Sequence, residues 1–158
     1  MMGAVLTRLA EAGIDLPVAP HALGAYIPAV RSGNLVFTSG QLPTRDGQLV
    51  AAGTVGESVS PEDARLCAQQ CAANALGALA SACDLDSIVR VVKLVCYVAS
   101  ASGFTGQPDV ADAASAVMLT AFGEAGRHVR EAVGVAALPL GAPVELSLVV
   151  EVLDRADM

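Results

Sequence analysis

Between residues 127 and 152, the order of hydrophobic and polar positions predicts two consecutive strands. In the first, residues 132–137 are small or apolar at every position, which is typical of a strand covered on both faces. Two prolines and a glycine within residues 138–143 then interrupt the extended structure, because proline lacks a backbone N–H group. In the second strand, residues 144–152, apolar residues alternate with a more polar set, so one face is predicted to be buried.

Hydrophobic periodicity and turn residues predict the remaining elements. The N-terminal part is predicted to contain a short helix over residues 5–12 ended by Gly13, an extended arm over 15–20 and a hairpin of 26–32 and 35–41 around Gly33-Asn34. A turn at 44–47 and a short strand over 48–52 follow. The rest of the chain up to residue 123 is predicted to form a helix over 61–82, a strand over 88–99 and a helix over 108–123.

The first long helix has a well-marked beginning. Ser60 is followed by a proline and two acidic residues, a combination that favours a helix N-terminus. Its buried side is expected to carry its cysteines and four further residues, namely Leu66, Ala73, Leu76 and Ala80. The following strand, residues 88–99, is apolar on both faces at almost every position, so it is predicted to lie inside a sheet.

This order of elements favours an α+β fold in which two main helices cover one face of a mixed sheet. We predict a single domain over residues 1–158, whose first 20 residues form the short helix and the arm. Three strands are aliphatic on both faces. Since large exposed apolar surfaces are rare on monomers, we expect neighbouring subunits to bury the sheet face that carries no helix.

The composition restricts the partners that this chain can bind. Hydrophobic residues make up 54% of the chain but aromatic residues only 3%, so alanine, valine and leucine must build the core. The formal net charge of −7 and the lack of a basic stripe argue against nucleic acid. No apolar run reaches the ~18 residues of a membrane helix, and Arg8 and Glu11 interrupt the segment in which a secretory signal would be apolar. We therefore expect a soluble cytoplasmic protein that binds no membrane.

The candidate metal ligands are four cysteines and two histidines, namely Cys67, Cys71, Cys83, Cys96, His21 and His128. Cys67 and Cys71 are predicted to share one face of a helix, but the histidines are distant in sequence, so the spacing does not match a zinc site. We expect reduced, buried thiols that pack as small hydrophobic side chains, and neither a metal nor another cofactor.

Arg130 and Glu145 stand out because each lies at the start of an apolar strand. A guanidinium group is a fork of donors that suits a carboxylate, either of a side chain or of a small acid ligand. A structural ion pair or a solvated charge at the strand end is equally compatible with the sequence. Gly40 allows the close approach of a strand or a ligand, or belongs to a β-bulge. His128 is either a general acid or a hydrogen-bonded or solvated residue of the connection before the strand.

Two groups of residues form recognisable motifs: Tyr26 followed by residues 29–43, AVRSGNLVFTSGQLP, and the set Arg130, Val133, Val135, Leu138-Pro139 and Val144-Glu145. In order and spacing they resemble the N-terminal and C-terminal signatures of the Rid/YjgF family, the reactive-intermediate deaminases, also called endoribonuclease L-PSP-like. The predicted elements agree with that family along nearly the whole chain after about residue 20. The additional N-terminal helix and the long connection before His128 resemble a larger-chain subgroup.

The resemblance implies a chorismate-mutase-like fold assembled as a homotrimer, in which the sheets form an inner barrel, the helices lie outside and the ligand clefts lie between subunits. The best-studied members hydrolyse reactive enamines or imines of 2-amino acids, such as 2-aminoacrylate, to 2-keto acids and ammonia. An imine is already electrophilic, so this chemistry requires no cofactor.

The resemblance also implies roles for single residues. Arg130 matches the catalytic arginine that clamps the substrate carboxylate, and Glu145 matches the glutamate that helps to place the attacking water. The implied substrate-binding residues are Tyr26, Ser39, Gly40 and Phe104. Ala132 stands where the family's deaminases often have a cysteine, and their asparagine in the second helix has no clear counterpart within residues 110–115.

Three functions are thus to be compared. The first is hydrolysis of enamines and imines, which Arg130 and Glu145 favour. The second is non-catalytic binding or sensing of small 2-keto carboxylates by a trimer, in which Arg130 is only an anchor and which the alanine at position 132 favours. The third is RNA cleavage or inhibition of translation, an older label of the family that the net charge of −7 opposes.

Overall fold

The structure, a computed structural model, describes residues 1–18 and 24–153 of the chain, so His21 and residues 19 and 20 of the predicted arm lie outside the described residues. The helices and strands are, in chain order, α1 (Ala4–Glu11), β1 (Ala29–Ser32), β2 (Leu35–Thr38), β3 (Thr44–Arg45), β4 (Gln48–Leu49), α2 (Pro61–Ala80), β5 (Ile88–Ala99), α3 (Gln107–Phe122), β6 (Val129–Val135) and β7 (Val144–Val152). No helix within the two described ranges is long and apolar enough to cross a membrane.

Five strands form one mixed sheet in the order β1-β2-β7-β5-β6, while β3 and β4 form a separate hairpin. β5 and β6 are parallel, and the other neighbours in the sheet are antiparallel. β5 therefore lies inside the sheet, as its two apolar faces predicted, and it separates β6 from β7. Helices α2 and α3 pack together on one face, which confirms the predicted α+β arrangement.

The predicted turns are present where the sequence places them. β1 and β2 pair from Ser32 and Leu35 outward, so Gly33 and Asn34 form a two-residue hairpin loop. Gly33 has a φ of +61°, which glycine adopts without strain. In the β3–β4 hairpin, Asp46 also has a positive φ of +53°, a conformation that aspartate tolerates better than most residues.

Helix α2 starts as predicted. The Ser60 side chain accepts a hydrogen bond from the Asp63 backbone N–H at 3.1 Å, which satisfies one of the free donors of the first turn. The helix ends at Ala80, two residues before the predicted end at residue 82. From residue 70 to residue 79 it is buried at every position, because it lies between the sheet and α3 and the segment around Pro17 crosses it at Gly77.

Two residues of α2 expected on its buried side are exposed, so the prediction for Leu66 and Ala80 was wrong. The Leu66 residue is 56% exposed, and Ala80 is exposed as well. The two residues lie about four turns apart and therefore on the same side of the helix. The side of α2 that faces the sheet is the one that carries Cys71, whose thiol contacts the Val144 carbonyl at 3.6 Å.

Helix α1 is fixed to the rest of the protein by two sets of hydrogen bonds. The backbone N–H groups of Ala4 and Val5 donate to the Asp86 carboxylate at 3.1 and 2.9 Å. The Arg8 guanidinium donates twice to the Ala121 carbonyl at the end of α3, at 2.8 and 2.6 Å. The N-terminal helix is therefore an integral part of the helical layer.

The sheet face without helices is largely apolar, and we call it the open sheet face. It is defined by the side chains of Val30, Phe37, Tyr97, Val129, Val133 and Val149. Val129 is 65% exposed and Val30 is 49% exposed. The opposite side chains of the same strands belong to one buried apolar cluster with α1, α2 and α3. Burial of the open sheet face by neighbouring subunits stays a prediction.

Candidate active site

Arg130 lies on the edge strand β6, and its side chain is directed toward helix α3. Its Nη1 donates to the Asp112 carboxylate at 2.7 Å and to the Ser115 hydroxyl at 3.2 Å. Its Nη2 donates to the Pro108 carbonyl at 3.4 Å. The ion pair that the sequence left open is therefore present, and its acidic partner is Asp112.

These contacts leave part of the guanidinium group available. A guanidinium has five N–H donors, and the described residues accept hydrogen bonds from three of them. The Nε–H donates to none of the described residues, and it points in parallel with one N–H of Nη2; an edge of this kind can hold a carboxylate with two hydrogen bonds. A quarter of the Arg130 side chain, 25%, is exposed. Helix α3 can thus fix the arginine while one edge stays open to a small acid.

Ser115 connects Arg130 to His128. The Ser115 hydroxyl lies 3.0 Å from Nε2 of His128, and Nδ1 lies 2.6 Å from the Gly126 carbonyl. A carbonyl only accepts hydrogen bonds, so Nδ1 carries a proton and Nε2 of the neutral ring accepts from Ser115. The Ser115 oxygen then accepts from Arg130. His128 is thus hydrogen-bonded in the connection before β6, which is one of the alternatives the sequence left open.

Sequence reasoning missed Asp112 and Ser115 as members of this site. They lie three residues apart on α3 and therefore share one face of the helix. This spacing of two polar residues in an apolar segment was the available signal. Their contact with Arg130 depends on how α3 crosses β6, which no local pattern specifies.

Glu145 lies at the start of β7 and closely approaches Gly40. A Cβ atom on residue 40 would overlap Oε1 of Glu145, so only glycine permits this arrangement. Partial burial raises the pKa of the Glu145 carboxyl group above its usual range. A carboxylate with a raised pKa is a better proton acceptor at neutral pH than an ordinary one. Gly40 is thus closely approached by a side chain of strand β7, which is one form of the alternatives the sequence left open, and this neighbour is a candidate catalytic group.

The other predicted binding residues lie on loops. Tyr26 is 54% exposed. The Ser39 hydroxyl donates to the Ile27 carbonyl at 2.6 Å, which ties the start of the Ser-Gly segment to the stretch after Tyr26. Phe104 is partly buried and packs against Gly56. The roles of Tyr26, Ser39 and Phe104 in ligand binding stay predictions.

Within one chain, Arg130 and Glu145 lie on opposite faces of the sheet. Arg130 is in register with Leu94 of β5, which is fully buried on the helix side. Glu145 is in register with Tyr97, three residues further along β5. Because successive side chains of a strand alternate between the faces, these positions point in opposite directions. One chain therefore does not bring the two catalytic candidates together.

The candidate residues consequently form two separate groups. We call the first the arginine half-site, defined by Arg130, Asp112 and Ser115. The second is the glutamate half-site, defined by Glu145 and Gly40. A cleft that contains both needs one half-site from each of two chains.

The cysteines do not supply a nucleophile. All four are free. Burial raises the pKa of the Cys67 thiol to about 11 and that of the Cys96 thiol to about 12, and it raises the pKa of the Cys71 thiol well above its ordinary value. These thiols are uncharged at neutral pH and unreactive. Among residues 1–18 and 24–153, no three histidine, cysteine, aspartate or glutamate side chains are grouped so that they could hold a metal ion.

Comparison with known proteins places this geometry in context. A family model described as "YjgF/chorismate_mutase-like, putative endoribonuclease" matches residues 6–152. Protein TCP17 of Trypanosoma cruzi is 42% identical over 151 residues, which cover 94% of this chain and 94% of that protein. The match to the family model therefore includes most of α1 as well as both half-sites.

Two solved structures are similar over nearly the whole chain. One is the protein Atu1372 from Agrobacterium tumefaciens, of unknown function, which is 42% identical with a TM-score of 0.89 over 94% of this chain and 92% of that chain. The other, from Shewanella oneidensis, is described as a putative endoribonuclease and is 30% identical with a TM-score of 0.91 over 95% of this chain and 100% of that chain.

Proposed function

The chain belongs to the YjgF/chorismate mutase-like family, and we propose that it hydrolyses reactive enamine or imine intermediates of 2-amino acids to 2-keto acids and ammonia. The single observation that carries this proposal is the hydrogen bonding of the Arg130 guanidinium group. Helix α3 holds the guanidinium with three hydrogen bonds, none of which comes from Nε, and the edge formed by Nε and Nη2 is where we place the substrate carboxylate.

The residues of the two half-sites suffice for this reaction. Arg130 binds the substrate carboxylate and thereby fixes the position of the adjacent imine carbon. Glu145 accepts a proton from water as the water oxygen bonds to that carbon, and it returns the proton to the nitrogen. The carbon–nitrogen bond then breaks as the proton of the added hydroxyl group passes to the nitrogen, so that a carbonyl group forms and a 2-keto acid and ammonia are released. No covalent intermediate with the protein is formed, which agrees with Ala132 at the position of the family's cysteine.

We place the reaction in a cleft shared by two subunits of a homotrimer. The arginine half-site faces the helices, and the glutamate half-site lies on the other side of the sheet, so a second copy of the chain is required to complete the site. The exposed apolar side chains of the open sheet face supply a surface that such an assembly would bury. Trimers of this kind close by rotational symmetry and contain three equivalent clefts.

The direct test is consumption of an imine. Oxidation of alanine by an amino acid oxidase generates 2-iminopropionate, and semicarbazide traps whatever is not hydrolysed. We expect the protein to reduce formation of the semicarbazone and to accelerate formation of pyruvate in proportion to its concentration. The heat-denatured protein is the control. A rate equal to that of the control would contradict the proposal.

Non-catalytic binding of a 2-keto acid is the second candidate, and Ala132 favours it. In this case Arg130 would still bind the carboxylate, but the chain would not accelerate loss of the imine. Titration calorimetry with pyruvate, combined with the imine assay, separates the two functions. Saturable binding without turnover would identify a sensor or carrier.

RNA cleavage, which the description of the Shewanella relative suggests, is not what we propose. The net charge of −7 disfavours binding of a phosphate backbone. The positive charge of Arg130 is paired with Asp112. Neither feature suits a polyanion.

Replacing Gly40 by alanine should impair the reaction without unfolding the chain. The added methyl group overlaps the flexible end of the Glu145 side chain, so the carboxylate moves and the backbone does not have to. We expect turnover to fall about tenfold or more, because displaced catalytic groups lose most of their effect. Thermal unfolding followed by circular dichroism should change little.

The control for Gly40→Ala is the same change in a Glu145→Gln background. If Gly40 acts by leaving room for the Glu145 carboxylate, adding Gly40→Ala to the Glu145→Gln variant should lower turnover little further. A further loss of equal size would mean that Gly40 serves another purpose, such as donating its backbone N–H to the ligand.

A further inference from the structure

Helix α2 buries two polar residues, Gln70 and Asn74, which are 7% and 2% exposed. They lie four residues apart and are therefore neighbours on the helix surface. Arg45 donates from Nε and Nη2 to Oε1 of Gln70 at 3.0 and 2.8 Å, and Nε2 of Gln70 donates to Oδ1 of Asn74 at 2.9 Å. Nδ2 of Asn74 donates in turn to the carbonyls of Leu42 and Thr44, both at 2.9 Å. A chain of hydrogen bonds thus runs from the surface through α2 to the backbone of the segment after β2.

The direction of these hydrogen bonds is fixed at both ends. A guanidinium group only donates and a backbone carbonyl only accepts, so the amides of Gln70 and Asn74 can each take one orientation. If either amide were reversed, N–H groups would face N–H groups and oxygen would face oxygen. The Asn74 amide is therefore firmly oriented, and it holds the two carbonyls beyond it.

The segment before these carbonyls forms an irregular part of the sheet. Strand β2 pairs with β7 as far as Phe37 and Val149, and the next pairing joins Gln41 to Leu146. Four residue steps on one side thus oppose three on the other, as in a β-bulge. The bulge contains Gly40, whose backbone meets the carboxylate of the glutamate half-site.

The chain after the bulge is anchored to two different elements. Gln41 exchanges two backbone hydrogen bonds with Leu146 of β7, at 2.7 and 3.0 Å. Asn74 of α2 holds the two carbonyls that follow. Both residues of the glutamate half-site directly precede the Gln41–Leu146 pair in the chain, so a shift of this segment changes the gap between them. The hydrogen bonds of Arg130 in the arginine half-site involve none of these groups.

We propose that Asn74, oriented by Gln70, is a positioning residue of the glutamate half-site. By holding the segment after the bulge, it sets the gap between the Gly40 backbone and the Glu145 carboxylate. Asn74 acts through this segment and not on the substrate. The inference rests on the proposed function for the task of Glu145 in turnover, whereas the positioning itself can be measured without turnover.

Asn74→Leu tests the inference, because leucine has a similar shape but no donor. We expect kcat for 2-iminopropionate to fall about tenfold or more, since the Glu145 carboxylate loses its fixed position. KM and the affinity for pyruvate should change by less than about twofold, because carboxylate binding by Arg130 is not affected. In a Glu145→Gln background, Asn74→Leu should lower kcat little further. The imine assay and titration calorimetry measure these effects.

Leu79→Ala is the matched control for a loss of stability. Leu79 is fully buried on α2, and its truncation leaves a cavity in the core. Below the unfolding transition, Leu79→Ala should keep the wild-type kcat. Gln70→Met retains the donors of Asn74 and so disturbs folding less, and it should lower kcat by a smaller factor than Asn74→Leu. An equal loss of kcat in Leu79→Ala, or a wild-type kcat in Gln70→Met, would overturn the inference.

The second readout needs no turnover. Partial burial raises the pKa of the Glu145 carboxyl group, so Glu145→Gln should stabilise the chain at neutral pH. In an Asn74→Leu background this gain, measured by urea unfolding, should be smaller because the released carboxylate is hydrated, whereas a Leu79→Ala background should keep the full gain. An unchanged gain in the Asn74→Leu background would refute this inference alone, whether or not imines are hydrolysed. A reduced gain in a chain that hydrolyses no imine would refute the proposed function alone.

Discussion

Replacement of Arg130 by alanine should abolish hydrolysis of 2-iminopropionate and binding of pyruvate. The guanidinium is the only group in the arginine half-site that can hold a ligand carboxylate, and its loss leaves the imine carbon without a fixed position. We expect kcat/KM and the affinity for pyruvate to fall about a hundredfold or more, since removal of one partner of a charged, hydrogen-bonded pair costs several kcal/mol. The imine assay and titration calorimetry measure the two effects.

Arg127→Ala is the matched control for this prediction. Arg127 lies three residues before Arg130, its side chain is 74% exposed, and it pairs with Glu124 at 2.9 Å on the surface. Its loss removes the same charge and should leave turnover unchanged. Arg130→Lys should retain part of the binding but little of the turnover, because an ammonium group lacks the parallel donors. Full activity of Arg130→Ala would contradict the proposed function.

A mixture of two inactive variants tests whether the site is shared. In the proposed trimer, assembled from equal amounts of Arg130→Ala and Glu145→Gln chains, about a quarter of the clefts would receive an intact arginine from one chain and an intact glutamate from the next. Co-expressed chains should therefore regain up to about a quarter of wild-type activity. If both residues of a cleft came from one chain, every cleft would lack one of them and no activity would return.

Replacement of Glu145 by glutamine should decrease activity and increase stability. The amide cannot accept a proton from water, so turnover should fall about a hundredfold. The raised pKa of Glu145 means that its ionised form is disfavoured in the folded chain by desolvation. The carboxyl group therefore contributes to stability while it is protonated, and this contribution is lost as the pH rises through the folded pKa. Urea unfolding at neutral pH should show the glutamine variant to be more stable than wild type.

The pH dependence distinguishes this explanation from a simple packing effect. The gain in the free energy of unfolding should disappear at acidic pH, below the ordinary carboxyl pKa of 4.5, where Glu145 is protonated in both states. Wild-type turnover should decline as the pH is lowered through the raised pKa, and the glutamine variant should lack this decline. Glu151→Gln, on the same face of β7 and paired with Arg90 at 3.9 Å, is the control. A stability gain independent of pH would contradict the role of desolvation.

Local sequence determined the elements of this protein well. The alternation of apolar and polar residues located β7 with its correct bounds and its correct buried face, and the apolar run before residue 100 located β5. Ser60 marked the start of α2 because a serine at that position can accept a hydrogen bond from the first turn. The order of these elements and the two motifs were sufficient to indicate the family.

Predictions about the sides of elements were less accurate where several neighbours compete. Leu66 and Ala80 were placed in the core because they are apolar, but α2 turns a different side to the sheet. β6 and β7 follow each other in the chain, but the sheet places β5 between them, and no local pattern predicts this order. These outcomes depend on contacts between segments that are far apart in the chain.

The sequence alone therefore identified the candidate residues. The two motifs pointed to Arg130, Glu145 and Gly40, and the chemistry of a guanidinium group, a carboxylate and a residue without Cβ suggested what each could do. The tertiary structure decided how they are arranged: Asp112 and Ser115 hold the arginine, and the glutamate lies on the opposite face. The physical reason is the distance along the chain over which each kind of interaction acts. Capping, alternation and turn preferences act between residues close in sequence, whereas the crossing of α3 over β6 and the order of strands are set by packing of the whole core.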